Sequence, residues 1–341
     1  MIIVYILALL VSFVLLARIV DLFFIASLDK ISKDLKLSSD AAGATLMAVG
    51  SSAPELFVAL FAVLKPGDHQ AIGVGSIVGS AIFNLLFIVG AAALVKKTKL
   101  TWEPLVRDLF FYTLAVALLV VFIWDGNFLL IEAIIFLGVY LIYVLAVVYW
   151  RRILPYEDMG KDVEDAHAEQ NRFTRPLDQL LKFIFPSKER YYLIFLMSIV
   201  LIAVLSYVLV EVAVASAHIL NIPEAIIALT VLAVGTSIPD LFSSIIVARQ
   251  GRGDMAVSNA IGSNIFDILV GLGLPFLIVM LLSTETIQAG GNLTNSVIIL
   301  FGSLMLLVLL LLVNRWRVGK PIGVILILVY IAYVIYEILK M

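Results

Sequence analysis

Three carboxylates stand where carboxylates are costly. Glu55, Asp240 and Asp267 each lie inside a stretch of otherwise aliphatic and small residues. An acid in such surroundings needs a partner, a proton or a cation. The polar side chains around them carry oxygen. Ala48, Ser52 and Glu55 follow i, i+4, i+7 along one helical face, and Ala233, Ser237 and Asp240 repeat that spacing. Ser80 and Asn84 are one turn apart, as are Ser263 and Asp267. No Lys, Arg or His joins the set. Hard oxygen donors suit Ca²⁺, Na⁺ or K⁺ and suit softer metals poorly. Mg²⁺ gives up its water reluctantly, so a dry all-protein cage favours Ca²⁺ over it. The chain has no Cys, which excludes disulfides, thiolate metal sites and cysteine nucleophiles.

The backbone adds oxygen of its own. Gly50 and Pro54 interrupt one apolar segment, and Gly235 and Pro239 interrupt another. Proline donates no hydrogen bond and disrupts the preceding turn. The carbonyls of Ala48, Ser51, Ala233 and Thr236 are therefore the leading candidates to be left exposed. The two interruptions are copies: residues 43–57 match residues 228–242 at 8 of 15 positions without a gap. A second pair follows, residues 79–90 against 262–273, with 6 of 12 identical and Asn84 opposite Asp267. Three buried negative charges could not stand empty, so ions or protons must occupy the site at every stage.

The elements that position these residues are membrane helices. The chain has 341 residues, 63% hydrophobic and only 14% charged, with a mean hydropathy of +1.13. Soluble domains are about a quarter charged, so this is an integral membrane protein. The net charge of −2 carries no field directed at nucleic acid. Ten segments are long and apolar enough to cross about 30 Å of hydrocarbon: 1–26, 41–64, 71–95, 105–124, 127–150, 191–219, 224–248, 255–282, 293–313 and 321–339. The first reads as a retained span rather than a cleaved leader. The expected division is a five-helix repeat over 1–150, with its duplicated region at 41–95, a soluble linker over 151–190, and a second five-helix repeat over 191–341, with its duplicated region at 224–282. The linker holds eight basic and eight acidic residues, with an amphipathic helix expected around residues 173–185. Its acidic run (Glu157, Asp158, Asp162, Glu164, Asp165) lacks the spacing and Gly of an EF-hand loop and reads as a solvated linker.

Connections after the odd-numbered segments, counted together with Arg107 at the start of the fourth segment, carry 20 of the 23 Lys and Arg. The positive-inside rule then puts both termini outside and the linker in the cytoplasm. Five segments per half invert the second copy relative to the first. Inverted repeats with interrupted helices point to a secondary transporter with its site at the midplane. The expected fold is therefore all-α, with ten membrane helices in two inverted repeats and broken helices 2, 3, 7 and 8 around a central site.

Plainer readings apply to other features. Gly43, Gly75, Gly79, Gly90, Gly262 and Gly273 suit close helix packing. Arg18 with Asp21 reads as an i, i+3 pair, Glu132 and Glu211 as helix contacts or entry-path groups, and Glu337 with Lys340 as outer-surface charges. Residues 251–254, Gly-Arg-Gly-Asp, match the GxGD motif of intramembrane aspartyl proteases. They fall in a basic connector without a Tyr-Asp partner, so no enzyme is expected.

The stretches GSSAPELF, IGVGSIVGSAIFN, AVGTSIPDLFSS and IVARQGRGDMAVSNAIGSNIFD resemble the two α-repeats of the cation/calcium exchanger superfamily. The resemblance covers nearly the whole chain and implies Na⁺/Ca²⁺ exchange across the plasma membrane by alternating access. It assigns Glu55 and Asp240 as the main Ca²⁺ carboxylates, with carbonyls of Ser51 and Thr236. Ala48, Ser52, Ser80, Ala233, Ser237 and Ser263 would serve Na⁺. Asn84 and Asp267 would line a central position open to K⁺ or H⁺. In such exchangers the first two helices slide as a gate over a more static core; here the gate would be helices 1 and 6. The repeats are most similar to the potassium-dependent branch, and Asp267 is a residue that branch associates with K⁺. The short linker and GSSAPE in place of GGSAPE suggest a minimal sodium/calcium version, so K⁺ dependence stays open beside a less favoured H⁺/Ca²⁺ reading. No cofactor is expected beyond the transported ions. The lipid bilayer is the expected surrounding, and a single chain contributing ligands from both halves would suffice.

Overall fold

Apolar segments of this length form helices because a backbone away from water must satisfy its own hydrogen bonds. In the computed structural model they do so. The structure describes residues 2–35, 48–67, 69–124, 126–154, 175–187, 189–249, 251, 253–282, 287–288 and 293–339. Among these, eight helices are long and apolar enough to cross a membrane. They are α1 (Ile3–Leu28), α3 (Gln70–Val95), α4 (Trp102–Ile123), α5 (Leu130–Trp150), α7 (Tyr191–Leu220), α10 (Met255–Leu282), α11 (Thr294–Val313) and α12 (Lys320–Leu339). A ninth span is a bent pair, α8 (Glu224–Thr236) and α9 (Ile238–Arg249), at 48° to each other. The second predicted segment is described only from the helical turn Ala48–Ser51 into α2 (Ala53–Leu64). Gly43, the acidic run of the linker and Lys340 lie outside the described residues, as does the side chain of Asp254.

Two interruptions were read correctly and two were not. The chain breaks at Ser52 (φ −93°, ψ 5°) and at Ser237 (φ −90°, ψ 6°), the same bridge conformation in both copies. Pro54 and Pro239 follow at the start of the resumed helix, where a fixed φ and a missing N–H are harmless. Segments 3 and 8, by contrast, are continuous. Each widens into a π-helical stretch, Phe83–Ile88 in α3 and Asp267–Leu272 in α10. Neither has proline at its site residue; Pro275 lies a turn beyond the second stretch and cannot donate back to Gly271. An extra residue per turn is a milder answer than a break, and such bulges recur at functional sites.

The buried apolar side chains fall into two main clusters. The larger joins α3, α4, α5, α10, α11 and α12 through residues such as Ile82, Tyr112, Phe136, Ile265, Leu300 and Leu326. The second is built on α1 and α7 (Leu16, Phe24, Ile202, Leu209) and takes in Val58 of α2 and Leu232 of α8. The linker helix α6 (Arg175–Ile184) belongs to this second cluster through Leu181, with Phe185 just beyond its end. Phe185 stacks on Phe23 with centroids 3.8 Å apart.

That docking corrects one expectation. Arg18 is held by Asp178 of α6, Nε to Oδ1 at 2.8 Å and Nη2 to Oδ2 at 2.7 Å, both side chains buried. A bidentate carboxylate satisfies the guanidinium fork better than Asp21 one turn away on the same helix. Glu337 is likewise buried rather than superficial, accepting from Ser296 Oγ at 2.8 Å. Arg107, counted above with the connector charges, is buried within α4 against Asp108. Glu132 caps α5 by accepting from the Leu129 N–H at 2.9 Å, and Glu211 pairs with Lys65.

Two antiparallel ladders of two residues each complete the fold. β1 (Thr98–Lys99), between α3 and α4, pairs with β4 (Arg317–Val318), between α11 and α12. β2 (Asn127–Phe128), between α4 and α5, pairs with β3 (Ile287–Gln288), between α10 and α11. Each ladder thus joins the first half of the chain to the second.

Candidate cation site

The two breaks deliver the carboxylates. Glu55 and Asp240 sit in the first turn of the resumed helices α2 and α9, where the helix N-terminus favours negative charge. α2 packs against the π-helical stretch of α10, and α9 against that of α3. This crossed arrangement brings Glu55 toward Asp267. Glu55, Asp240, Asp267 and Asn84 are all buried, with exposures of 1%, 3%, 1% and 0%. The three acids are close enough to repel one another.

Glycine makes a further crossing, of α3 with α8. A Cβ on Gly79 of α3 would overlap the Leu229 carbonyl of α8 and come within 2.7 Å of the Ala233 Cβ. The backbones of α3 and α8 therefore touch, which holds Ser80 against the break at Ser237. Ser80 Oγ and Ser237 Oγ are 2.7 Å apart, and Ser237 Oγ donates to Glu55 Oε1 at 3.2 Å. A hydroxyl chain thus runs from α3 through the second break to the carboxylate of the first. Asp240 is hydrogen-bonded in turn by Ser51 of the first break. Each break serves the acid of the other.

The remaining predicted residues are placed as follows. Thr236 donates to the Leu232 carbonyl at 3.0 Å and approaches that of Ala233 at 3.4 Å, so its hydroxyl occupies backbone oxygen at the second break. Ser263 donates to the Ala260 carbonyl at 3.3 Å and lies beside Asp240. Ala233 is buried against Gly79. Ala48 opens the turn Ala48–Ser51, and its side chain lies outside the described ones.

Two buried acceptors here have no hydrogen-bond partner among the described residues, Glu55 Oε2 and Asn84 Oδ1, while Asp267 has the Ser52 hydroxyl beside it. Buried acceptors left this way are costly, and a cation is what an acceptor-only set can receive. Among the described residues, no three His, Cys, Asp or Glu side chains converge tightly enough to form a metal cluster by themselves. Any ion held here would need hydroxyl and amide oxygen besides carboxylate, of the kind that Ser52, Ser80, Ser237 and Asn84 offer.

Sequence reasoning missed Asn264. It is fully buried on α10, accepts from Asn84 Nδ2 at 2.9 Å, and donates to the Ala81 carbonyl at 3.0 Å and to the Tyr112 hydroxyl at 2.9 Å. A signal was present: Asn264 stands where the first copy has Ala81, an amide in an otherwise matching apolar register.

A site of this design can be set against known proteins. The family model for sodium/calcium exchanger proteins matches residues 4–149 and 190–339, which leaves out little besides the linker. The chain belongs to the sodium/calcium exchanger family. Within that family, human sodium/potassium/calcium exchanger 5 is 32% identical, covering 97% of this chain and 82% of its own. Human sodium/potassium/calcium exchanger 4 is 29% identical, covering 98% and 81%. Among solved structures, the sodium-calcium exchanger NCX_Mj soaked with Na⁺ and Sr²⁺ superposes with a TM-score of 0.62 at 25% identity, covering 97% of this chain and 98% of that one. The H⁺/Ca²⁺ exchanger CAX superposes with a TM-score of 0.73 at 16% identity, covering 97% and 82%, a likeness of fold alone. This exchanger-family chain is a multi-pass membrane protein.

Proposed function

We propose that the chain is a secondary active antiporter that exchanges Na⁺ for Ca²⁺ by alternating access. The observation that carries this is the buried, all-oxygen constellation at two matching breaks, in which Glu55 Oε2 and Asn84 Oδ1 are left without a donor and Asp267 and Ser52 lie beside each other. In this reading Glu55 and Asp240 are the Ca²⁺ carboxylates, with backbone oxygen of Ser51 and Thr236. Na⁺ uses Ser52, Ser80, Ser237 and Ser263 with the carbonyls of Ala48 and Ala233. Asn84 and Asp267 line the centre.

The spans form a ten-helix inverted repeat, in which α2 completes the second span as α8 and α9 complete the seventh. The two ladders support this, because inversion of one half onto the other exchanges them: the β1–β4 connections become those of β3–β2. The distribution of Lys and Arg supports external termini and a cytoplasmic linker. Cation cargo needs no cofactor, and no enzymatic step is assigned. One chain holds ligands from both halves, so a monomer suffices.

A second reading, co-transport of K⁺ with Ca²⁺, is favoured by Asp267 together with relatives that are themselves sodium/potassium/calcium exchangers. Exchange for H⁺ draws only on likeness of fold, and the hydroxyl-rich set around Glu55 favours Na⁺ over it. Uptake of ⁴⁵Ca²⁺ into proteoliposomes, with Na⁺, K⁺ and H⁺ gradients varied separately, tests all three. An outward Na⁺ gradient is expected to drive uptake. Uptake driven by protons and not by sodium overturns the reading, and a requirement for K⁺ selects the second. Glu55→Gln and Asp240→Asn are expected to abolish Ca²⁺ flux, and flux retained in either removes that ligand.

A further inference from the structure

We infer that Asn264 is a positioning residue whose task is to turn the Asn84 amide so that its oxygen, not its nitrogen, faces the cations. The inference rests on the reading of the site as one that holds cations.

The orientation follows from donors and acceptors alone. An amide has a donor end and an acceptor end of nearly the same shape, so which end faces a ligand is decided by its neighbours. The Ala81 carbonyl can only accept. The Asn264 atom 3.0 Å from it must therefore be Nδ2. The other proton of that nitrogen goes to the Tyr112 hydroxyl at 2.9 Å. Both donors of Asn264 are then used, and its Oδ1 is left pointing at Asn84, 2.9 Å away. An acceptor there compels Asn84 to present Nδ2. The Asn84 oxygen must face the opposite way, where it has no hydrogen-bond partner in a fully buried position.

Turning Asn264 over sets its oxygen against the Ala81 carbonyl and its nitrogen against the Asn84 nitrogen; turning Asn84 over sets its oxygen against the Asn264 oxygen. In an interior from which water is excluded, either clash is costly. Asn264 thus makes Asn84 a one-sided acceptor, and it does so from the other half of the chain: Asn264 lies on α10, while Asn84 and Ala81 lie on α3 and Tyr112 on α4. The first copy has Ala81 at the position matching Asn264 and Asn84 at the position matching Asp267. A carboxylate presents oxygen at both ends and needs no such guide. The amide does, and the amide is the one that has it.

The test is a mutant cycle read as half-saturation for Ca²⁺ and Na⁺ against maximal rate in proteoliposomes. It is paired with the rise in melting temperature that each ion gives the purified protein. Asn264→Ala is expected to raise the half-saturation for at least one ion about tenfold, the scale of a misdirected buried polar group, with a smaller change in maximal rate. Tyr112→Phe, which keeps the Ala81 anchor and nearly the same shape, is expected to give a smaller shift in the same direction. The double variant Asn84→Ala/Asn264→Ala is expected to match Asn84→Ala alone, because nothing remains to be oriented. Unchanged half-saturations in Asn264→Ala, or losses that multiply in the double variant, overturn the inference. If Asn264→Ala does not fold, Tyr112→Phe decides by the same measure, and an unaltered ion response there overturns it. A wild-type protein with no cation-driven flux and no ion-dependent melting shift defeats the reading of the site itself, and the inference with it.

Discussion

At the scale of single residues, the site depends on hydroxyls that join its two halves. Ser237 is the joint: it touches Ser80 of α3 and donates to Glu55 across the pseudo-symmetric contact. A hydrogen bond to a charged group contributes about 1.5–3 kcal/mol. Ser237→Ala is therefore expected to weaken apparent Na⁺ affinity about tenfold while leaving the protein folded, measured as Na⁺-dependent ⁴⁵Ca²⁺ uptake. An unaltered Na⁺ dependence would place sodium elsewhere. The acids and hydroxyls were legible in the sequence because helical spacing and duplication put them on shared faces. The role of Asn264 was not. It depends on which atoms of α3 and α4 come to meet it, and a single chain's spacing carries no such distance.

At the scale of elements, the linker helix α6 is fastened to α1. Arg18 and Asp178 meet in a buried bidentate pair, with Phe185 stacked on Phe23 and Leu181 buried beside them. Removing one partner of such a pair strands a buried charge, at about 3–5 kcal/mol, while exchanging both for apolar residues is often neutral. Asp178→Ala is expected to lower thermal stability markedly in detergent, and Arg18→Met with Asp178→Leu to restore most of it. If both variants melt like the wild type, the pair contributes nothing to the fold. α6 was foreseen from its amphipathic spacing, but its partner was not. Asp21 is nearer to Arg18 in sequence, and only the return of the linker across α1 brings Asp178 closer in geometry. The expected breaks at segments 3 and 8 fail for a related reason. Glycine and serine permit a break without compelling one, and proline at Pro54 and Pro239 is what separates the two true breaks from the two widened helices.

At the scale of the whole molecule, the apolar interior divides between a frame of six helices and a smaller unit of α1, α7 and α6. Composition and the duplicated motifs foretold membrane helices and family; they held no information about this division, which depends on which lipid-length helices touch. In our reading the smaller unit is the moving one, because α1 lies over both breaks. The space a Cβ would need at Gly50 is taken by Leu28, and that at Gly235 by the ring of Phe13.

The two short ladders set the terms on which such movement can occur. Thr98 faces Val318 in one and Asn127 faces Gln288 in the other, so the halves of the frame are laced together at two separate points. In our reading a frame tied in this way does not open as a clam-shell. Its outline in the plane of the bilayer is expected to stay nearly constant while the α1–α7 unit travels along it, so the work of transport goes into sliding rather than into displacing lipid sideways. Since the chain has no cysteine of its own, a disulfide between Thr98→Cys and Val318→Cys can be introduced cleanly. Exchange measured before and after its oxidation is expected to be the same, and arrest on oxidation would mean that the halves must part.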